Sequence, residues 1–173
     1  SLYAAFSNSK TPSAASVNGS CTATSTTGTA NCDVKPETAK NYEIGAKWDV
    51  RSSLSLTGAL FQLDRSNSSA PDPANPERTV QTGAQRTTGY ELGASGEITP
   101  SWQLVGGFSS QTARIRSRTT AAVAGATTPL VPRSTISLWN RVQLAPSVGV
   151  GLGAVHQARM YAAIDNTVTL PAF

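Results

Sequence analysis

Apolar and polar residues alternate without a break from Tyr42 to Val50. Tyr42, Ile44, Ala46, Trp48 and Val50 share one parity, and Glu43, Gly45, Lys47 and Asp49 share the other. A period of two describes an extended strand with one apolar and one polar face. Arg51-Ser52-Ser53 interrupts it, and a second strand-like run follows from Leu54 to Leu63. Together they predict a β-hairpin with a short polar turn.

The same pattern returns twice. Tyr90, Leu92, Ala94, Gly96 and Ile98 oppose Gly89, Glu91, Gly93, Ser95 and Glu97. After Thr99-Pro100-Ser101, Trp102, Leu104, Gly106 and Phe108 oppose Gln103, Val105, Gly107 and Ser109. In the third hairpin Ile136, Leu138, Val142 and Leu144 oppose Thr135, Ser137, Trp139, Arg141 and Gln143, with Asn140 interrupting the apolar side. Ala145-Pro146-Ser147 then turns the chain into a last strand from Val148 to about Met160. Residues 2–6 (LYAAF) read as one end of a further strand, and Tyr161–Phe173 shows no strand pattern. Between these elements lie three long polar stretches, expected to be loops: Ser7–Lys35, Ser66–Thr82 and about Arg116–Val131. Pro71, Pro73 and Pro76 argue against strand and helix alike in the second.

Short turns thus recur roughly every 46–48 residues with long loops between them. A propeller or solenoid would need units of equal length. Long strands with full charges in mid-strand, short turns on one side and long loops on the other fit a transmembrane β-barrel wall better. Tyr42, Ile44, Leu92, Leu104, Leu138 and Leu152 then face lipid, and Glu43, Lys47, Glu91 and Arg141 face the lumen. Trp48 and Trp102 stand beside short turns, where an interfacial aromatic belt would place them. A soluble β-sandwich with these residues as its core is the alternative.

Composition agrees with strands and loops. Of 173 residues 39% are hydrophobic and 14% charged, and the charged share lies well below that of ordinary soluble domains. Mean hydropathy is −0.19. No apolar run approaches the length of a membrane-spanning helix, and Ser1–Phe6 lacks the features of a signal peptide. The net charge of +4 is scattered rather than clustered with aromatics, which argues against nucleic acid as a partner. The single His156 shares parity with Ala154 and Leu152, without a Ser, Cys or carboxylate pair nearby in sequence. With no phosphate loop, zinc spacing or nucleophile elbow either, catalysis is not expected.

Five collinear segments carry a resemblance. KPETAKNYEIGAKWD (35–49), LSLTGALFQLDRSN (54–67), PDPANPERTVQTGAQRTTGYELGASGEITPSWQLVGGFS (71–109), VPRSTISLWNRVQL (131–144) and AIDNTVTLP (163–171) resemble the TonB-dependent outer-membrane receptors of Gram-negative bacteria. The catecholate-type ferric siderophore receptors are the nearest kind. The resemblance implies an all-β fold: an antiparallel up-and-down meander of about seven strands, part of a 22-stranded barrel, a size class whose lumen is plugged. Residues 1–173 would all belong to the barrel domain, with the plug domain and final strands absent. It further implies uptake of a ferric siderophore in the Gram-negative outer membrane, with no resident cofactor. The inner-membrane TonB complex would supply energy through an N-terminal region outside this chain. A passive porin-like pore and a soluble binding module are the alternatives.

Two sets of candidate site residues remain. Cys21 and Cys32 flank ten small, mostly polar residues that cannot build a core. A disulfide there would stabilise by about 3 kcal/mol in the chain-entropy model and needs an oxidising compartment; two free thiols are the alternative, and a metal site lacks further ligands. Arg78 and Arg86 flank the second long loop, and Arg114, Arg116, Arg118 and Arg133 the third. Guanidinium groups bind delocalised oxygen anions well, which makes all six candidates for an anionic ligand or for lipopolysaccharide phosphates.

Overall fold

The computed structural model describes residues 1–11, 36–72, 75–81, 83–118 and 123–173, with backbone alone for 69–72 and 75–81. Seven strands form one antiparallel sheet in chain order: β1 (Leu2–Thr11), β2 (Glu37–Arg51), β3 (Leu54–Ser66), β6 (Gln85–Thr99), β7 (Trp102–Ile115), β8 (Ser134–Ala145) and β9 (Val148–Gln157). Two small ribbons stand apart from it, β4 (Ser69–Asp72) with β5 (Asn75–Gln81), and β10 (Met160–Tyr161) with β11 (Thr169–Leu170). No helix occurs among the described residues.

The three short turns fall where the alternation breaks, at 52–53, 100–101 and 146–147. Each closes with a register shift, at Asp49/Arg51, Glu97/Thr99 and Gln143/Ala145. Gly96 packs against the first of them. Its φ of +141° suits glycine, and a side chain there would run into the Ser53 carbonyl, which accepts a hydrogen bond from Glu97 N at 2.7 Å.

Three expectations need correction. Residues 7–11 are strand, because β2 extends far enough to pair Ser7 with Asn41 and Thr11 with Glu37. A ladder partner outweighs the loop-like composition of SNSKT. The second long loop contains the β4–β5 ribbon despite Pro71 and Pro76. A two-stranded ribbon is all edge, so a missing N–H can face away from the partner strand, and its register shifts at Pro71/Asp72. The last strand ends at Gln157, and the segment after it forms the small β10–β11 ladder.

Packing decides between membrane wall and sandwich. Among the described residues no second sheet covers either face of the seven strands. Among the described residues the buried apolar side chains are Ala113, Ile115 and Ile164, all beyond the sheet's centre on the long-loop side. The apolar parity instead lies open: Leu92 is 53% and Leu152 74% exposed, and Phe6, Ile44, Trp48, Leu60, Leu138 and Leu144 are exposed with them. A sandwich would bury that face against a second sheet, and an apolar surface this extensive marks contact with membrane or protein.

Candidate functional site

Cross-strand pairs share a face, so the register sorts every wall residue. Tyr3, Gly45, Ala59, Glu91, Ser109 and Thr135 lie in one row of the polar face, and Ala4, Ile44, Leu60, Tyr90, Ser110 and Ser134 in the neighbouring row of the apolar face. The polar face is the lumen side. There the Tyr3 hydroxyl donates to Glu43 Oε1 at 2.6 Å, and Lys47 Nζ sits 5.8 Å from the centre of the Tyr3 ring. Arg65 Nε donates to Glu37 Oε1 at 2.7 Å on the same face, near the long-loop end. Trp139 lies flat over β9, so close that a Cβ on Gly153 would be 2.4 Å from its ring.

The third long loop folds back over this face. Ile115 N donates to Ala126 O at 2.9 Å, Gly125 N to Ile115 O at 2.8 Å, and Thr128 N to Ala113 O at 3.1 Å. Alternation continues through the end of β7 in a new form: Ala113 and Ile115 are buried, whereas Thr112, Arg114 and Arg116 are exposed. Ile115 packs on Ile164 and Ala126, and Asn166 exchanges hydrogen bonds with the Thr127 backbone, both at 2.8 Å. In the adjoining turn Asp165 accepts from Thr167 N and Oγ1, which holds its carboxyl below the usual range.

Beneath the loop is an open hollow of about 450 Å³, lined by Asn41, Leu63, Arg65, Gln111, Leu130 and Pro132 among others. Gln111 Nε2 donates to Pro132 O at 3.2 Å and fixes the rim. Leu130 adopts a left-handed φ of 58°, is exposed, and is tied by its N–H to Tyr161 O at 2.7 Å. A bulky residue in that region of backbone space is strained, and such strain collects at functional sites. Thr128 Oγ1, also at the hollow, is buried without a hydrogen-bond partner. The hollow therefore offers an apolar lip over amide, carboxylate and guanidinium groups, a lining suited to a mixed polar and apolar ligand. Among the described residues no group of three His, Cys, Asp or Glu side chains is placed to hold a metal.

The five sequence-selected arginines whose side chains are described do not converge on it. Arg86 and Arg114 occupy one row of the apolar face, with Lys40 and Asp64. Arg86 grips Asp64 with two hydrogen bonds, at 2.6 and 3.0 Å. Arg116 and Arg118 follow β7 and are exposed, Arg116 continuing the parity of Arg114. Of these five, Arg133 alone lies at a lumen-side register position, where its carbonyl accepts from Gln111 N. The side chain of Arg78 and both Cys21 and Cys32 lie outside the described residues. Sequence reasoning missed Arg65 and Leu130. The parity of Phe61 and Leu63 places Arg65 on the lumen face; nothing in the sequence marks the φ of Leu130.

On the apolar face aromatics gather at two levels. Phe6 meets Tyr42 with ring centres 5.1 Å apart, and Tyr90 meets Phe108 at 5.7 Å; Tyr42 and Tyr90 lie towards the long loops, while Phe108 pairs with Leu92 at mid-strand. Trp48 and Trp102 stand at the short-turn end, each six residues along its own strand from Tyr42 or Phe108. Aromatic girdles flanking an apolar band are the mark of an outer-membrane barrel wall.

The family model described as "TonB dependent receptor-like, beta-barrel" matches residues 1–173. The chain belongs to the TonB-dependent receptors. Its segment of their barrel is 38% identical to the catecholate siderophore receptor Fiu of Escherichia coli K12 over 144 residues, 82% of this chain and 19% of Fiu. The probable TonB-dependent siderophore receptor PiuA of Acinetobacter baumannii is 29% identical, covering 100% of this chain and 24% of that protein. The crystal structure of E. coli Fiu in its closed form superposes with a TM-score of 0.77 at 29% identity, over 99% of this chain and 25% of that one. That of A. baumannii PiuA gives 0.77 at 29% identity, over 99% and 26%. The chain thus spans about a fifth to a quarter of the length of these TonB-dependent receptors. Its relatives are receptors, and proteins of this barrel family reside in the Gram-negative outer membrane.

Proposed function

We propose that this chain is a section of the wall of an outer-membrane receptor that takes up ferric siderophores, with catecholates as the ligand class. The observation that carries the reading is the exposed apolar band between two aromatic levels, on a sheet whose other face holds Glu43, Lys47 and Glu91. That arrangement suits a lipid-facing, water-filled barrel. The hollow beneath Leu130 and Pro132 opens on the lumen side of the long loops, where an incoming chelate first meets the wall. Ferric siderophore is cargo here, and no resident cofactor is invoked. Energy would come from the inner-membrane TonB complex, engaged by parts of the receptor outside this chain, as would the plug that closes the lumen.

The test uses the complete receptor in a Gram-negative strain stripped of its own catecholate receptors. Ferric catecholate should restore growth under iron restriction and drive uptake of labelled iron, and both should vanish when TonB is inactivated. Uptake that persists without TonB would make the protein a passive pore. No uptake of any ferric catecholate would overturn the ligand class.

A further inference from the structure

One side chain joins the long loop between β7 and β8 to the segment that follows β9. Ala126 O and Thr128 N bond to the end of β7, and Thr127 forms an isolated antiparallel bridge with Arg114 there. The N–H and C=O of Thr127 itself turn the other way, where the carboxamide of Asn166 meets them instead of a strand. Thr127 N donates to Asn166 Oδ1 and Asn166 Nδ2 donates to Thr127 O, both at 2.8 Å. The amide thus offers one acceptor and one donor, as the backbone of a neighbouring strand would.

Asn166 is itself firmly held. Its φ of 60° is left-handed, a region that asparagine enters more readily than most residues. Its N–H donates to Ala163 O at 3.1 Å, and Ala162 N closes the turn on Val168 O at 2.9 Å. Behind the turn the β10–β11 ladder pairs Met160 with Leu170 and Tyr161 with Thr169. Three residues beyond Thr127, Leu130 N is bonded to Tyr161 O in that same ladder. The lip of the hollow therefore takes its place from a turn in a different loop. Between the two bonds stands Thr128, 8% exposed, whose hydroxyl lines the hollow without a partner. A buried hydroxyl left open in this way is a group kept for what enters.

We infer that Asn166 is a positioning residue for capture of the ferric chelate: its carboxamide clasps the β7–β8 loop to the β10–β11 turn and presets Thr128 and Leu130 over the hollow. The inference rests on the hollow being the chelate's first contact with the wall. Asn166 acts through Thr127 and does not touch the ligand. A loop already fixed in its binding position loses less freedom when the ligand arrives. The clasp therefore governs affinity and leaves the energised step that follows untouched.

The experiment uses the complete receptor and two variants. Asn166→Gly removes the amide and tolerates the left-handed backbone, whereas Asn166→Ala removes the amide and strains the turn. Spin labels at Val123 and Thr169, both exposed, report the distance between the two loops. The native receptor should give one narrow distance, and both variants a broad distribution. The dissociation constant for a ferric catecholate should rise on the order of tenfold in each, the scale of two hydrogen bonds. Uptake at saturating chelate should stay within about twofold of native, a split between KM and maximal rate that a misfolded wall would not give. Val168→Ala, in the same turn but outside the clasp, should change neither readout. A narrow distance retained in Asn166→Gly would overturn the inference, as would a broadened distance with unchanged affinity. So would equal losses in Val168→Ala. A native receptor that binds no ferric catecholate would instead overturn the ligand class, and the loop distance would still decide whether Asn166 holds the entrance.

Discussion

The indole Nε1 of Trp102 donates a hydrogen bond to Oδ1 of Asn140 at 3.1 Å, across β7 and β8 on the lipid-facing side. Asn140 interrupts the apolar parity of its strand between Leu138 and Val142, and this bond accounts for it. An indole at a membrane interface needs an acceptor for its N–H, and the amide supplies one at the level of the lower girdle. Trp102→Phe and Asn140→Ala should each destabilise the refolded complete barrel by about 1 kcal/mol, the net scale of one hydrogen bond. The double variant should cost little more than the larger single loss. Unfolding in denaturant measures this, and strictly additive losses would show that the pair is uncoupled.

Leu92 and Ser95 test the orientation of the wall, because they lie on opposite faces of β6. Arginine at Leu92 should impair assembly, at a cost of about 2–4 kcal/mol near the midplane of the bilayer. Arginine at Ser95, which points to the lumen, should be accepted. Spin labels give a direct readout: a label at Leu92 should be relaxed by lipid-soluble oxygen and shielded from a water-soluble nickel reagent. Equal protection from both would mean a packed interior.

Trp139 and Gly153 form a fitted pair on the lumen side. Valine at Gly153 would place its Cβ inside the van der Waals envelope of the indole, and overpacking of this kind costs about 1–3 kcal/mol. The loss should be recovered in the Trp139→Ser background, where the space is free. Thermal unfolding of the complete barrel reports both, and a Gly153→Val variant as stable as the parent would remove the steric account.

Cys21 and Cys32 should be bonded in receptor exported through the periplasm. Non-reducing peptide mass spectrometry would show a single cross-linked species. Reduction should cost about 3 kcal/mol or less, according to how far the denatured chain is otherwise restrained. Two free thiols in exported material would contradict the bond.

The wall was legible because a period of two is a strong signal when both faces are chemically distinct. All three hairpins, their turns and the facing of Leu92 against Glu91 follow from parity. Residues 7–11 and the β4–β5 ribbon escaped because they pair through partners that composition does not reveal, and proline statistics describe sheet interiors rather than ribbons. At the site, charge type drew attention to arginines, whereas placement depends on register. Parity was already sufficient to put Arg86 and Arg114 outside the lumen and Arg65 inside it. Leu130 owes its exposure and backbone angle to the anchoring of its loop on Tyr161, a tertiary constraint with no local trace.

The β4–β5 ribbon has a kinetic consequence. β3 and β6 are neighbours in the sheet although the eighteen residues 67–84 separate them in the chain, and closing such a gap costs conformational entropy before any wall contact repays it. A ribbon that pairs with itself shortens the gap, since Ser69 already lies opposite Gln81. The other joins link consecutive strands, three through two-residue turns and two across longer stretches, 12–36 and 116–133. The wall can therefore be laid down strand by strand in chain order, with the ribbon serving as the hinge that passes growth from the first hairpin to the second, and low contact order of this kind favours rapid pairing.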